Sequence, residues 1–256
     1  MAVRRGERRT GAGAGGPAIG DPAPGAPARR ARAGGDPAGG GPTDIGPTDG
    51  GAVPPSGALE FVFREVSPDA ARRILIAAAQ AFAARGFHAT TTRDIAGRAR
   101  MSPAGVYVHY RSKEALLFQI SRTGHELSLR IVRDAVAGSA ADPAAAIRAV
   151  VAAFTRWHAE LHAVARVVHY ELAALRPDHL AEITELRRKV EETVGSVIAD
   201  GQRRGVFTVT DVGAATVAVL SLCIDVARWY RASGRRRPDE IGAGNADLVL
   251  RMLSFR

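Results

Sequence analysis

Cysteine is nearly absent from this 256-residue chain: Cys223 is the one thiol. That excludes an intrachain disulfide framework and a thiolate metal cluster, and it suits a reducing, cytoplasmic setting. Lysine is almost as scarce. Lys113 and Lys189 are the only two, so the formal net charge of +9 is almost wholly arginine in origin. An excess of that kind favours a polyanionic partner, nucleic acid before an anionic membrane surface, and says nothing of the fold. Long apolar runs are missing too. Even the stretch 212–226 is interrupted by Thr216, Ser221 and Asp225, so no transmembrane helix is expected. The N-terminal arginines are not followed by an apolar segment, so no secretory signal is expected. No segment keeps a strand's two-residue alternation for long.

Residues 1–57 are dominated by Gly, Ala, Pro and Arg, with GAGAGG at 11–16 and an imperfect repeat in GPTDIGPTDGG at 41–51. So little apolar side chain cannot offset the chain entropy of ordering, and the segment 1–65 is predicted to be a disordered tail. From Ser67 the texture becomes helical. Ser67 followed by Pro68 reads as an N-cap with proline at the first helical position, and Ile74, Leu75, Ala78, Ala81 and Phe82 then recur at helical spacing. Gly86 closes that helix. Thr90, Thr91 and Thr92 cap a short second helix, Ser102-Pro103 a third ending near Tyr110, and Ser112 a fourth that begins KEALLFQI. Five further helices are predicted, at roughly 143–161, 163–175, 177–203, 210–232 and 238–254, with proline near three of the starts. The predicted class is all-α.

The second and third helices are joined by a turn of about three residues, Arg100-Met101-Ser102. Two short helices so joined make a helix-turn-helix, which in a basic chain points to DNA. Ile95, Ala96, Val106 and Tyr110 would hold the pair together, leaving Pro103, Ala104, Tyr107 and Val108 outward. Groups suited to phosphate lie around them: Thr91, Thr92, Ser102, Tyr107, His109 and Lys113, with the free N–H groups of two helix starts. The outward face is poor in bidentate hydrogen bonders, so shape and deformability of the duplex are expected to supply part of the specificity. A catalytic reading of Ser102, His109 and Lys113 is weaker. Ser102 lacks the strand-to-helix elbow of a nucleophilic serine, and no acid stands at a known spacing.

The run GFHATTTRDIAGRARMSPAGVYVHYRSKEALL at 86–117 resembles the DNA-binding domain of TetR-family transcriptional repressors. The shared pattern is T-T-x-x-I-A, then S-x-G-x-L-Y-x-H-F, then S-K-E-x-L, and the likeness covers about 68–118. It implies that Thr91, Tyr107, His109 and Lys113 contact phosphate and that Ser102, Pro103, Ala104 and Gly105 open the recognition helix. Two positions depart from the pattern: Ala104 stands where glycine is usual, with Gly105 after it, and Val106 stands for leucine. The division implied is a helix-turn-helix domain at 66–118 and a ligand-binding and dimerisation domain at 119–256.

In that second region the helix at 210–232 is apolar nearly all round, which predicts burial on more than one face. With the last helix as its companion it is expected to form a homodimer, and by symmetry the operator is expected to be roughly palindromic. Polar or aromatic residues within otherwise apolar helices are the candidate ligand contacts: Trp157, His162, Arg166, His169, Tyr170, Asp225, Arg228 and Trp229. His158 and His162 are four apart and could share a helical face, but HAELH is not a zincin motif and no third ligand has fixed spacing, so no metal and no cofactor are expected. The segments RVVHYELAAL and DVARWYRASGRRRPDEI look like the C-terminal domain of regulators of fatty-acid, sterol or phenylacetate breakdown. That resemblance implies an acyl-CoA effector, with Arg228, Arg231 and the arginines at 235–237 as candidate phosphate partners. Two alternatives stay open: a metal-dependent enzyme using the C-terminal histidines, and an architectural DNA-binding protein without an effector.

Overall fold

Polar caps at the expected places set the helix starts. In a computed structural model, which describes residues 56–139 and 141–253, Thr91 and Asp94 form a reciprocal capping box and Ser102 and Ser112 each accept from the backbone N–H three residues on. The elements are α1 (Ser56–Val62), α2 (Asp69–Arg85), α3 (Thr92–Ala99), α4 (Pro103–His109), α5 (Lys113–Ala137), α6 (Pro143–Glu160), α7 (His162–Tyr170), a 3-10 turn (Leu172–Ala174), α8 (Pro177–Arg203), α9 (Val212–Trp229) and α10 (Pro238–Met252). No strand occurs among the described residues. The class is all-α.

Three expectations need correction. Helix α2 begins at Asp69, because Pro68 is extended and its carbonyl, not the Ser67 hydroxyl, receives the first N–H groups, from Ala71 and Arg72. Asp69 in the first turn supplies the favourable negative end instead. Part of the predicted tail is ordered: α1 forms and buries Leu59, Val62 and Phe63 against the core, α1 touching α2 and α5. A seven-residue helix has too little propensity to stand alone and persists through that burial. Residues 1–55 of the tail lie outside the described residues. The expected helix at 163–175 stops at Tyr170 and continues as the 3-10 turn.

Helices α2, α3 and α4 pack around Ile74, Phe82, Ile95 and Val106, all essentially unexposed, and Leu116 and Leu117 of α5 close the base of this unit. The turn before α4 holds Arg100 in the left-handed region (φ 57°), an uncommon place for a side chain other than Gly or Asn. Its N–H finishes α3 by bonding back to Gly97. The remaining helices stack as α8 on α5, α5 on α6, and α6 between α9 and α10. Gly242 of α10 lies so close to α6 that a Cβ there would stand 2.6 Å from the Ala152 carbonyl oxygen. Only glycine permits that approach.

Helix α9, with 18 residues and a mean hydropathy of 1.5, is long and apolar enough by length and composition alone to cross a membrane, and 33% of it is buried. Asp225 and Arg228, its charges, are paired with each other one turn apart at 2.8 Å. Val217 and Trp229 on α9, and Leu248 and Met252 on α10, are exposed.

Candidate DNA interface and effector cavity

The outward face of α4 is the one anticipated. Pro103, Ala104, Tyr107 and Val108 are exposed, Val108 at 81%, while Val106 points inward at 0%. The methyl of Ala104 thus faces away from the interior, and the tight position is Gly105, where a Cβ would lie 3.3 Å from the Ser102 Oγ that caps the helix. Tyr107 Oη reaches Thr92 Oγ1 at 3.5 Å, joining the faces of α3 and α4, and His109 ends α4 half-buried. The Thr91 hydroxyl donates to Asp94 Oδ2 at 2.7 Å and accepts from the Asp94 N–H. The hydroxyl's bond first, and then the Thr91 N–H donating to the same Oδ2 at 2.9 Å, pull the Asp94 carboxyl down to about 2.

Lys113, expected to contact phosphate, is engaged by the chain's own carbonyls. Its Nζ donates to the carbonyls of Phe87 at 2.7 Å, His88 at 3.3 Å and Thr90 at 2.9 Å, and sits 4.3 Å from the centre of the Phe87 ring. An ammonium has three donors, and all three are committed to the loop between α2 and α3. Lys113→Met should therefore lower stability by about 1–3 kcal/mol through three orphaned carbonyls. It should leave the salt dependence of DNA binding unchanged; an unaltered urea midpoint would show that the clip is not structural. Sequence reasoning missed the exposed cations that surround α4, namely Arg93, Arg98, Arg100 and Arg111. Their placement around a helix-turn-helix was the available signal.

A catalytic arrangement of Ser102, His109 and Lys113 has no support in this geometry, since Ser102 Oγ accepts the Gly105 N–H and the Lys113 ammonium is bound to carbonyls. Nor do His158 and His162 share a face. Helix α6 ends at Glu160, the chain bends at Leu161, and the two rings turn apart: His158 Nε2 lies 3.1 Å from His169 Nε2, whereas His162 packs edge-on to Tyr230 at 5.1 Å.

A cavity of about 250 Å³ lies between α5, α6, α7, α8 and α9. His125 and Ser128 of α5, Phe154 of α6, His169 of α7, Arg187, Val190 and Glu191 of α8, and Val217, Leu220, Ser221 and Ile224 of α9 line it. Of the eight candidate ligand contacts only His169 is among them. Trp157 is buried beside Phe154 and His158, and His162 faces Tyr230. Arg166 and Tyr170 border a separate hollow between α2 and α7, Asp225 and Arg228 satisfy one another, and Trp229 is exposed. His125, which sequence reasoning passed over, is the central group.

Two histidines, His125 and His169, line the cavity, and a third, His158, is buried behind His169. His125 Nδ1 is 2.8 Å from the Ser121 carbonyl oxygen and His158 Nδ1 is 2.8 Å from that of Phe154; a carbonyl only accepts, so both Nδ1 atoms carry hydrogen. Burial holds each ring neutral, with pKa values pushed down to about 4 for His125 and His158 and well below the usual range for His169.

Helix α7 carries His169 to this wall and Glu171 to the opposite unit two residues later. Glu171 Oε1 accepts the Phe87 N–H at 3.4 Å, and Oε2 lies 3.9 Å from His88 Nε2, both in the loop that Lys113 clips. A second strut runs from α8 to α5, where His179 stacks on Phe118 at 3.7 Å and its Nδ1 donates to Glu114 Oε1 at 2.7 Å.

Comparison with known proteins agrees with this architecture. Residues 74–120 match the family model "Bacterial regulatory proteins, tetR family", and residues 140–253 match "Tetracyclin repressor-like, C-terminal domain". A bacterial regulatory protein in the tetR family from Rhodococcus RHA1 is 39% identical, with a TM-score of 0.71 over 74% of this chain and 100% of that one. The transcriptional repressor KstR2 of Rhodococcus jostii is 28% identical over 179 residues, 69% of this chain and 87% of its own. The structure of AibR in complex with isovaleryl coenzyme A and operator DNA shares the fold, at 24% identity and a TM-score of 0.66 over 73% of this chain and all of that one.

Proposed function

The chain belongs to the TetR family of transcriptional regulators, ligand-responsive DNA-binding repressors, and from that premise we propose how its own residues divide the work. Helix α4 reads the major groove through Pro103, Ala104, Tyr107 and Val108. The exposed face of α4 carries this reading. Thymine methyls are natural partners for such small apolar groups. Thr92, Ser102, His109 and the exposed arginines Arg93, Arg98, Arg100 and Arg111 hold the phosphates, in place of Lys113. Thr91 serves chiefly as the cap, and Gly105 gives α4 its tight start.

A second copy of the chain covers the exposed apolar face of α9 and α10 around Val217, Leu248 and Met252. A helix this apolar and only a third buried must bury its remainder against something. A family of DNA-binding regulators makes that cover a protein partner in the cytoplasm. The resulting twofold places two α4 helices one turn of DNA apart, roughly 34–36 Å, on a palindromic site. Sedimentation equilibrium that found a single copy would remove this part of the reading.

The effector is an acyl-CoA thioester whose acyl end enters the cavity and whose phosphates stay outside near Arg187. The name of AibR's ligand supports that class. At about 250 Å³ the cavity lies below the roughly 300–1,000 Å³ common for ligand sites, so a short or single-ring acyl group suits it. The test is fluorescence polarisation on DNA from the protein's own promoter, repeated with short-chain acyl-CoAs. Retention of DNA with every thioester would reject the effector class, and no binding of promoter DNA at all would reject the operator.

A further inference from the structure

The polar groups of the cavity are not evenly divided between donors and acceptors. His125 is 4% exposed and its Nε2 has no partner among the described residues. With Nδ1 fixed on the carbonyl of its own helix, Nε2 lies on the opposite edge of a ring that forms part of the cavity wall. With hydrogen on Nδ1 and no charge on the ring, that Nε2 is a bare lone pair. The neighbouring pair follows the same bookkeeping. His158 Nε2 is also a lone pair, so the 3.1 Å contact is a donation from His169 Nε2–H, and His169 keeps its own lone pair at Nδ1. Ser128 gives its hydrogen to the Gly124 carbonyl. Acceptors therefore line the inner end, and the guanidinium donors of exposed Arg187 stand at the mouth beside the Glu191 carboxylate.

Resting on the acyl-CoA reading above, we propose that the effector carries a hydroxyl on its buried end, donated to His125 Nε2: a short hydroxyacyl thioester rather than a plain one. A carbonyl or an unsubstituted alkyl end would leave that buried acceptor unmet. A charged ammonium would also donate, but it costs far more to desolvate than a neutral hydroxyl. A divalent cation is disfavoured by geometry. The His158 lone pair is already taken by His169, and no three His, Cys, Asp or Glu donors converge on one point among the described residues.

The experiment separates the hydroxyl from the thioester. Calorimetry with phenol and toluene, equal in size and different in one donor, asks about the cavity alone. The wild-type protein should bind phenol about tenfold more tightly although toluene is the more apolar, and His125→Phe should reverse that order. Toluene binding at least as well, or a phenol preference that survives His125→Phe, would overturn the proposal. Nitrogen-15 NMR of the histidines in the wild-type protein needs no variant: the His125 Nε2 resonance should move with phenol and stay with toluene, and the opposite result is equally fatal. In a second arm, 3-hydroxy-3-methylbutanoyl-CoA should release promoter DNA at about a tenth of the concentration of 3-methylbutanoyl-CoA. Preference for the plain thioester overturns the hydroxyl. Release by neither rejects the thioester class alone, and the phenol and toluene result then decides the hydroxyl by itself.

Discussion

Val108→Asp should abolish operator binding while leaving the melting temperature where it is. The side chain is 81% exposed on the face of α4 opposite the core, so the folded protein loses no packing and a surface change of this kind stays within about 0.5 kcal/mol. In the proposed complex with DNA the same position is pressed against base edges between two rows of phosphate. A carboxylate there meets like charge and gives up its water for no donor, a loss of at least about a hundredfold in affinity. Val106→Asp is the informative contrast. One residue earlier, and fully buried, it should unfold the helix-turn-helix unit and lose DNA binding for a different reason. Polarisation titrations and thermal melts on both variants decide the matter; normal DNA affinity in Val108→Asp would place the interface elsewhere.

Acid should weaken this protein well before its carboxylates titrate. His125 and His158 are held near 4 in the folded chain by burial, while in the unfolded chain histidine takes its proton near 6.5. As pH falls through 6.5 the unfolded state binds protons that the folded state refuses, so stability is fully present above that pH and drains away down to about 4. Each residue is worth on the order of 3 kcal/mol over that span, and two of them rival the total stability of a typical domain. His169, displaced in the same direction by burial and by its histidine neighbours, adds to the loss. Asp94 acts in a lower window, between its ordinary 3.8 and about 2, and so does not blur the first. Urea midpoints at pH 7 and pH 5 check this, and equal midpoints would contradict the burial of the histidines. His158→Phe should flatten the slope.

The helix-turn-helix was legible because its signals are local. Thr91 with Asp94, Ser102 with Pro103, and Ser112 each fix a helix start within four residues of chain, and the structure places α3, α4 and α5 accordingly. The cavity was not legible, because His125, His169, Arg187 and Ser221 meet only through the crossing of four helices. One clue was present all the same. In SRTGHELS the buried positions of α5 are Ser121, Thr123, Gly124, His125, Leu127 and Ser128, and all but Leu127 are polar or small where a core-facing helix normally carries aliphatic residues. The eight contacts chosen instead were conspicuous by type. Arg228 stands out in the sequence, but its neighbour Asp225 satisfies it within the same helix. The carbonyl partners of Lys113 were hidden for a similar reason: nothing in SKE shows that three carbonyls from the loop 25 residues back will surround it.

His169 stands in the last turn of the nine-residue α7, and Glu171 is the residue that ends it. One lines the cavity and the other accepts from the loop that carries the cap of α3. Under the proposed function, free energy that a ligand gains by shifting α7 is a toll on the grip on DNA. Thermodynamic reciprocity makes the toll symmetric, so the operator-bound protein must hold its effector more weakly than the free protein by the same factor.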